Sequence, residues 1–151
     1  MSKKLVSQIE IDATAEQVWK VLTDFAAYPT WNPFIVIAVG DAEVGTTVRM
    51  RMQPVGARGV SLTPTVLEAS PGHRLRWRGR FGVTGVFDAE HAFTLTSRDD
   101  GGVTLSQTED FSGLLVPFMA GSLDRHTLPA FVAMNEALKV RAEEAMASQR
   151  G

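Results

Sequence analysis

Three consecutive segments constrain this chain more than anything else in it: RLRWRGRF (74–81), VFDAEHAFTLT (86–96) and VTLSQTEDF (103–111). Each alternates apolar with polar residues, and glycine-bearing turns separate them (82–85 and 98–102). Alternation with a period of two is the mark of a strand with one buried face. Strands joined by turns this short must pair antiparallel. A three-strand meander is therefore predicted, and the rest of the chain has to cover its apolar face.

The turns also predict register. A loop centred near residue 100 sets His91 opposite Glu109 and Phe93 opposite Gln107. A slip of one residue would turn Phe87, Phe93 and Leu95 outward, so the apolar pattern fixes the faces. The preceding turn, centred near residue 83, sets Arg78 against Asp88 and Arg76 against Glu90 outside. Leu75 and Trp77 then flank His91 and Ala89 inside. Opposite charges across a hairpin make a stable solvated face. The run Arg74, Arg76, Arg78, Arg80 is thus read as an exposed strand face, not as a nucleic-acid stripe. The buried face carries three polar groups, His91, Gln107 and Glu109. A buried carboxylate needs a partner, and His91 stands opposite it.

The remaining elements follow from spacing. Leu5 to Ile11 alternates and reads as a strand. Thr14 is an N-cap for a helix over 15–25, with Val18, Trp19, Leu22 and Phe25 on one face. Pro29 and Pro33 allow at most one short helical turn between them. Strands are predicted over 34–39, 46–53 and 61–69, with a turn at 41–45 and a loop at 54–59. From Pro117 to Ala147 the period becomes helical, with Phe131, Met134, Leu138 and Ala142 as its apolar stripe. Pro129 is expected to kink or break that helix, and 148–151 to fray. Hairpins with helices at both ends give an α+β protein of one domain, residues 1–151.

Composition excludes several functions. Hydrophobic residues make up 44 % of the 151 residues and charged ones 21 %, with a net charge of -2, so general attraction to nucleic acid or anionic lipid is not expected. There are no cysteines, which removes disulfides and thiol chemistry and fits a reducing cytoplasm. No apolar run follows the charged start as a signal peptide requires, and no membrane span is expected. His73, His91 and His126 lack the spacing of metal ligands. No metal and no cofactor are expected.

Several stretches resemble the START-like, helix-grip superfamily (SRPBCC), and within it the polyketide cyclase/dehydrase-type members. They are IDATAEQVWKVLTDFAAYPTWNPF near the N-terminus, PTVLEASPGHRLRWRG, FDAEHAFTL, EDFSGLL and FVAMNEALKVRAE. The resemblance implies a curved antiparallel sheet of about seven strands wrapped around a long C-terminal helix, with two short helices between the first two strands. It also implies a deep cavity between sheet and helix. The implied lining comprises Trp31, Phe34, Met50, Met52, Trp77 and Phe81, then Phe87, His91, Phe93, Gln107, Glu109 and Phe111, and finally Leu115, Phe118, Phe131, Met134 and Leu138. Asp24, Pro29, Trp31 and Asn32 match the family's N-terminal motif in a structural role. The stretch 113–121, with its two glycines and exposed apolar residues, suits a gate.

Three functions follow as expectations. The first is binding of a small hydrophobic molecule (aromatic, polycyclic or acyl) in that cavity. The second is an enzyme of cyclase, aromatase or dehydratase type with His91 and Glu109 as acid and base. The third is a non-enzymatic module for a protein partner, which would need an exposed apolar patch. A homodimer is left open.

Overall fold

The computed structural model describes residues 2–150. Strand β1 (Ser2–Ile11) leads to helix α1 (Ala15–Thr23), a 3-10 turn (Phe25–Ala27) and helix α2 (Tyr28–Trp31). Strands β2 (Ile35–Val39), β3 (Arg49–Met52), β4 (Val60–Leu62), β5 (Thr65–Ser70), β6 (Arg74–Arg80), β7 (Asp88–Ser97) and β8 (Val103–Ser112) follow. Helix α3 (Val116–Ser122) runs through a π-helical turn (Leu123–Thr127) into α4 (Leu128–Arg150). Gly151, the end of the tail expected to fray, lies outside the described residues, while α4 itself runs through the rest of that tail.

One sheet has the order β1-β8-β7-β6-β5 and the other β2-β3-β4, all antiparallel. A Thr47–Thr65 bridge joins the two, helped by Val48 N donating to Pro64 O at 3.0 Å and Val66 N to Thr46 O at 2.9 Å. The strand expected over 61–69 is two strands, because Pro64 has no N–H to continue a ladder. There are thus eight strands where about seven were expected, in the helix-grip arrangement that was anticipated.

Thr14 caps α1 by accepting from Gln17 N at 3.1 Å. Asn32 Oδ1 accepts from Phe34 N and Ile35 N, both at 2.9 Å, and so turns the chain from α2 into β2. Helix α4 packs on β1 and α1, burying Ala130, Phe131, Met134, Leu138 and Ala142. Pro129 does not break the C-terminal helix. The chain stays helical from α3 to α4, and the wider π turn lies just before the proline, whose ring would crowd the carbonyl four residues back. Gly113 ends β8 at φ 117°, where a Cβ would sit 2.6 Å from Val86 O.

The β7–β8 register is as expected, with His91 opposite Glu109 and Phe93 opposite Gln107. The β6–β7 register differs by two residues: Trp77 faces His91, Arg78 faces Glu90 and Arg80 faces Asp88. The turn reaches further toward Phe87 than was assumed, with Phe81 N bonded to Phe87 O at 2.9 Å. An even shift changes partners and keeps faces, so the arginines remain outside and Trp77 inside. Arg76 still bonds Glu90, now diagonally, and Glu68 as well.

Candidate functional site

His91 stands in the middle of β7 on the concave side and is fully buried, at 0 % exposure. Trp77 on β6 stacks against it, with ring centroids 5.2 Å apart and planes at 20°. Phe93 lies 4.8 Å away, Phe131 of α4 meets it edge-on at 5.0 Å, and Phe34 stacks at 6.3 Å. The alternation of β6 and β7 delivers three of these rings, and the α4 stripe and the start of β2 deliver the other two.

A polar chain crosses this aromatic cage. His91 Nε2 lies 2.9 Å from Gln107 Oε1. Gln107 Nε2 donates to Asn135 Oδ1 at 2.7 Å and to Phe131 O at 3.4 Å. Asn135 Nδ2 donates to Ser7 Oγ at 2.9 Å. Ser7 is reached because β1 pairs with β8 at Ser7–Gln107. Gln107 has only its carbonyl left for His91, so Nε2 carries the proton and donates. The lone pair of Nδ1 then faces Glu109, whose Oε2 is 3.3 Å away. That contact is within ionic range but is not aligned as a hydrogen bond, and Nδ1 has no bonded partner. Trp77 Nε1, on the ring stacked against His91, is also buried without a partner. Buried polar atoms are nearly always satisfied; of five such unpartnered side-chain atoms among the described residues (the others being Trp31 Nε1, Asn32 Nδ2 and Asp88 Oδ1), two fall together here on stacked rings.

The expected lining divides into three groups. Phe34, Met50, Met52, Trp77, Phe87, His91, Phe93, Gln107, Glu109, Phe111, Phe131, Met134 and Leu138 are all buried. Trp31 and Phe81 are half-buried and pack against that core. Leu115 and Phe118 are not brought to it: Phe118 is 82 % exposed, beside Leu114 at 75 %. Five surface grooves on the described residues are lined by other side chains than His91 and Glu109. Around His91 itself the rings of Trp77, Phe93, Phe131 and Phe34 pack closely.

Asn135 and Ser7 were not anticipated. Asn135 falls four residues after Phe131 on the stripe of α4, so its inward direction was readable from spacing. His126 sits in the π turn and pairs through Nδ1 with Val55 O at 2.7 Å, tying down the 54–59 loop. Among the described residues no group of three or more His, Cys, Asp or Glu is placed to hold a metal ion. No helix among them is long and apolar enough to cross a membrane.

The family model described as polyketide cyclase/dehydrase and lipid transport matches residues 2–143. The chain belongs to that family. Solved structures share its fold across nearly the whole length. A Streptomyces aromatase/cyclase superposes with a TM-score of 0.77 at 19 % identity, covering 97 % of this chain and 96 % of its own. A point mutant of Thalictrum flavum norcoclaurine synthase gives 0.76 at 14 % identity and 97 % of both chains. A hypothetical protein from Helicobacter pylori gives 0.78 at 16 %, covering 93 % and 88 %. Identities this low establish the helix-grip fold and leave the activity to be argued from the site. None of the curated proteins compared matches the chain.

Proposed function

We propose that this family member binds a small, mostly apolar molecule bearing a carbonyl or hydroxyl group, held between the sheet and α4. What supports the reading is the pair of unpartnered buried atoms, His91 Nδ1 and Trp77 Nε1, inside an aromatic cage beside Glu109. Sites for such ligands are apolar with a few placed polar groups. A hydroxyl could donate to Nδ1, and a carbonyl could accept from the indole N–H. Met50, Met52 and Met134 line the same core, and methionine side chains adapt to irregular shapes. Entry requires the interior to open. The segment 113–121 is the element suited to move, since it exposes Leu114 and Phe118 and packs few of its side chains inward.

Catalysis by His91 with Glu109 is the second reading. Nε2 is held by Gln107, so only the unbonded Nδ1 beside Glu109 is free to act, and a general acid or base must reach the reacting proton of a bound substrate. Binding therefore comes first. The test is titration of the protein with 2-naphthol and with naphthalene, followed by tryptophan fluorescence and by the imidazole resonances of His91. Tighter binding of the naphthol, lost in His91→Phe, is the expected result. Saturable binding of neither compound, with His91 resonances unmoved, would overturn the proposal.

A further inference from the structure

A groove lies away from the interior around His91. Where β4 ends and β5 begins, the sheet opens into this groove of about 610 Å³ on its outer side. Arg49, Arg51 and Arg80 line it together with Ser61, Thr63 and Phe81. Arg49 and Arg51 alternate on β3 and so project from one face. Among the described residues neither has a carboxylate within ion-pair distance, in contrast to the paired arginines of β6. Arg80 has a distant one, Asp88 at 3.9 Å. Two unneutralised like charges on one strand face repel each other. That is a standing cost in the free protein, removed when an anion arrives.

Arg51 is held in place. Its Nη1 donates to Ser61 Oγ at 3.1 Å, and its guanidinium lies so close over Gly59 that a Cβ there would come within 2.7 Å. Gly59 therefore makes room for the head group of Arg51. On the neighbouring strand Ile37 and Val39 stand opposite Arg51 and Arg49 and are about half exposed. The groove thus offers guanidinium forks and hydroxyls beside apolar side chains.

We propose that this groove binds an organic phosphate monoester, its phosphate on Arg49, Arg51 and Arg80 and its apolar part against Ile37, Val39 and Phe81. Three guanidiniums and one distant carboxylate leave an excess of two positive charges, which matches a phosphate monoester near neutral pH better than a carboxylate. Planar guanidiniums bind phosphate oxygens in pairs, and Ser61 and Thr63 supply further donors. The phosphate could be carried by a small free ester or by a lipid headgroup, and the chemistry of the groove is the same for both. The site is independent of the interior around His91.

The test uses the full chain with phenyl phosphate as probe and benzyl alcohol as its neutral counterpart. Phenyl phosphate should raise the melting temperature with the logarithm of its concentration once above Kd and saturably shift the amide resonances of Arg49, Arg51, Ser61 and Phe81, with an affinity in the millimolar range or tighter. Benzyl alcohol should do neither. The double variant Arg49→Gln/Arg51→Gln should bind about tenfold more weakly and, with the repulsion gone, melt no lower than wild type without ligand. Arg80→Gln is a second variant on another strand and should weaken binding separately. Co-sedimentation with phosphatidylcholine vesicles containing phosphatidic acid, but not with phosphatidylcholine alone, would assign the phosphate to a lipid. Phenyl phosphate binding without sedimentation would assign it to a free ester. Absence of a saturable shift together with absence of sedimentation, or unchanged affinity in the double variant, would overturn the proposal. His91→Phe should leave this titration unchanged, so this site and the interior one fail separately.

Discussion

The two faces of β6, β7 and β8 obey opposite rules. On the outer face, Arg76, Arg78, Glu90, Arg80 and Asp88, with Glu68 of the neighbouring β5, make a ladder of ion pairs. On the inner face a few polar groups, His91, Gln107 and Glu109, sit among aromatic rings with little or no exposure. The same strands carry both sets, one residue apart. Water screens the outer charges, so each pair there contributes little. No water screens the inner groups, so each unmade bond there costs heavily. Charged groups are numerous where they matter little to stability and sparse where they matter much.

The strongest way to break that contrast is to remove the inner packing. Trp77→Ala should destabilise by about 3–5 kcal/mol, read by chemical denaturation, and should disorder the His91 ring, read by its resonances. Gln107→Leu should cost about 2–3 kcal/mol, because it leaves His91 and Asn135 buried without their partner. Combining it with Asn135→Leu should cost less than the two single changes added together, since the second removes a group the first had orphaned. Strict additivity in that cycle would mean the chain is not a coupled network.

An intermediate case sharpens the comparison. Glu143 on α4 is partly buried, and burial alone would raise its pKa. The hydrogen bonds from Lys139 Nζ at 2.6 Å and Asp12 N at 2.8 Å, together with the Lys139 charge, outweigh burial and hold it below its ordinary value of 4.5. A carboxylate with a depressed folded pKa stabilises the protein fully above its unfolded value and loses that contribution as pH falls through the folded one. Lys139→Met should therefore make the loss of stability below about pH 4.5 shallower, measured by melting temperature against pH. An unchanged acid limb would assign the depression to Asp12 N alone. At the weak end, Arg78→Ala on the outer ladder should change stability by about 0.5 kcal/mol or less, and the change should shrink as salt is added. A loss comparable with that of Gln107→Leu would erase the distinction between the faces.

The legible parts of the fold were those where a period and a turn acted together. The β7–β8 register could be written down because Asp99-Asp100-Gly101 sits symmetrically between two alternating strands, and it placed His91 against Glu109. The β6–β7 turn holds Gly82 and Gly85, so its centre could not be fixed from composition, and the partners shifted by two. Pro64 was inside an otherwise strand-like run, where one missing N–H divided β4 from β5. The inward faces of the site residues followed from alternation. How tightly their rings would close was not readable, because that depends on ring planes and contact distances. The basic groove was invisible for a different reason. Arg49 and Arg51 lie on β3 and Arg80 at the end of β6, about thirty residues further along, and only the folded chain brings them to one groove.

The chain of amides from Ser7 to His91 has a direction. As it stands, each group hands its hydrogen toward Ser7. Turning over the two amide groups would reverse every link: Ser7 would give to Asn135, Asn135 to Gln107, and Gln107 to His91 Nε2. His91 would then carry its hydrogen on Nδ1 and present it to Glu109. The tautomer of a buried imidazole is thereby tied to the orientation of a half-buried serine hydroxyl three links away. A probe of that hydroxyl reads the couple at the core without entering it.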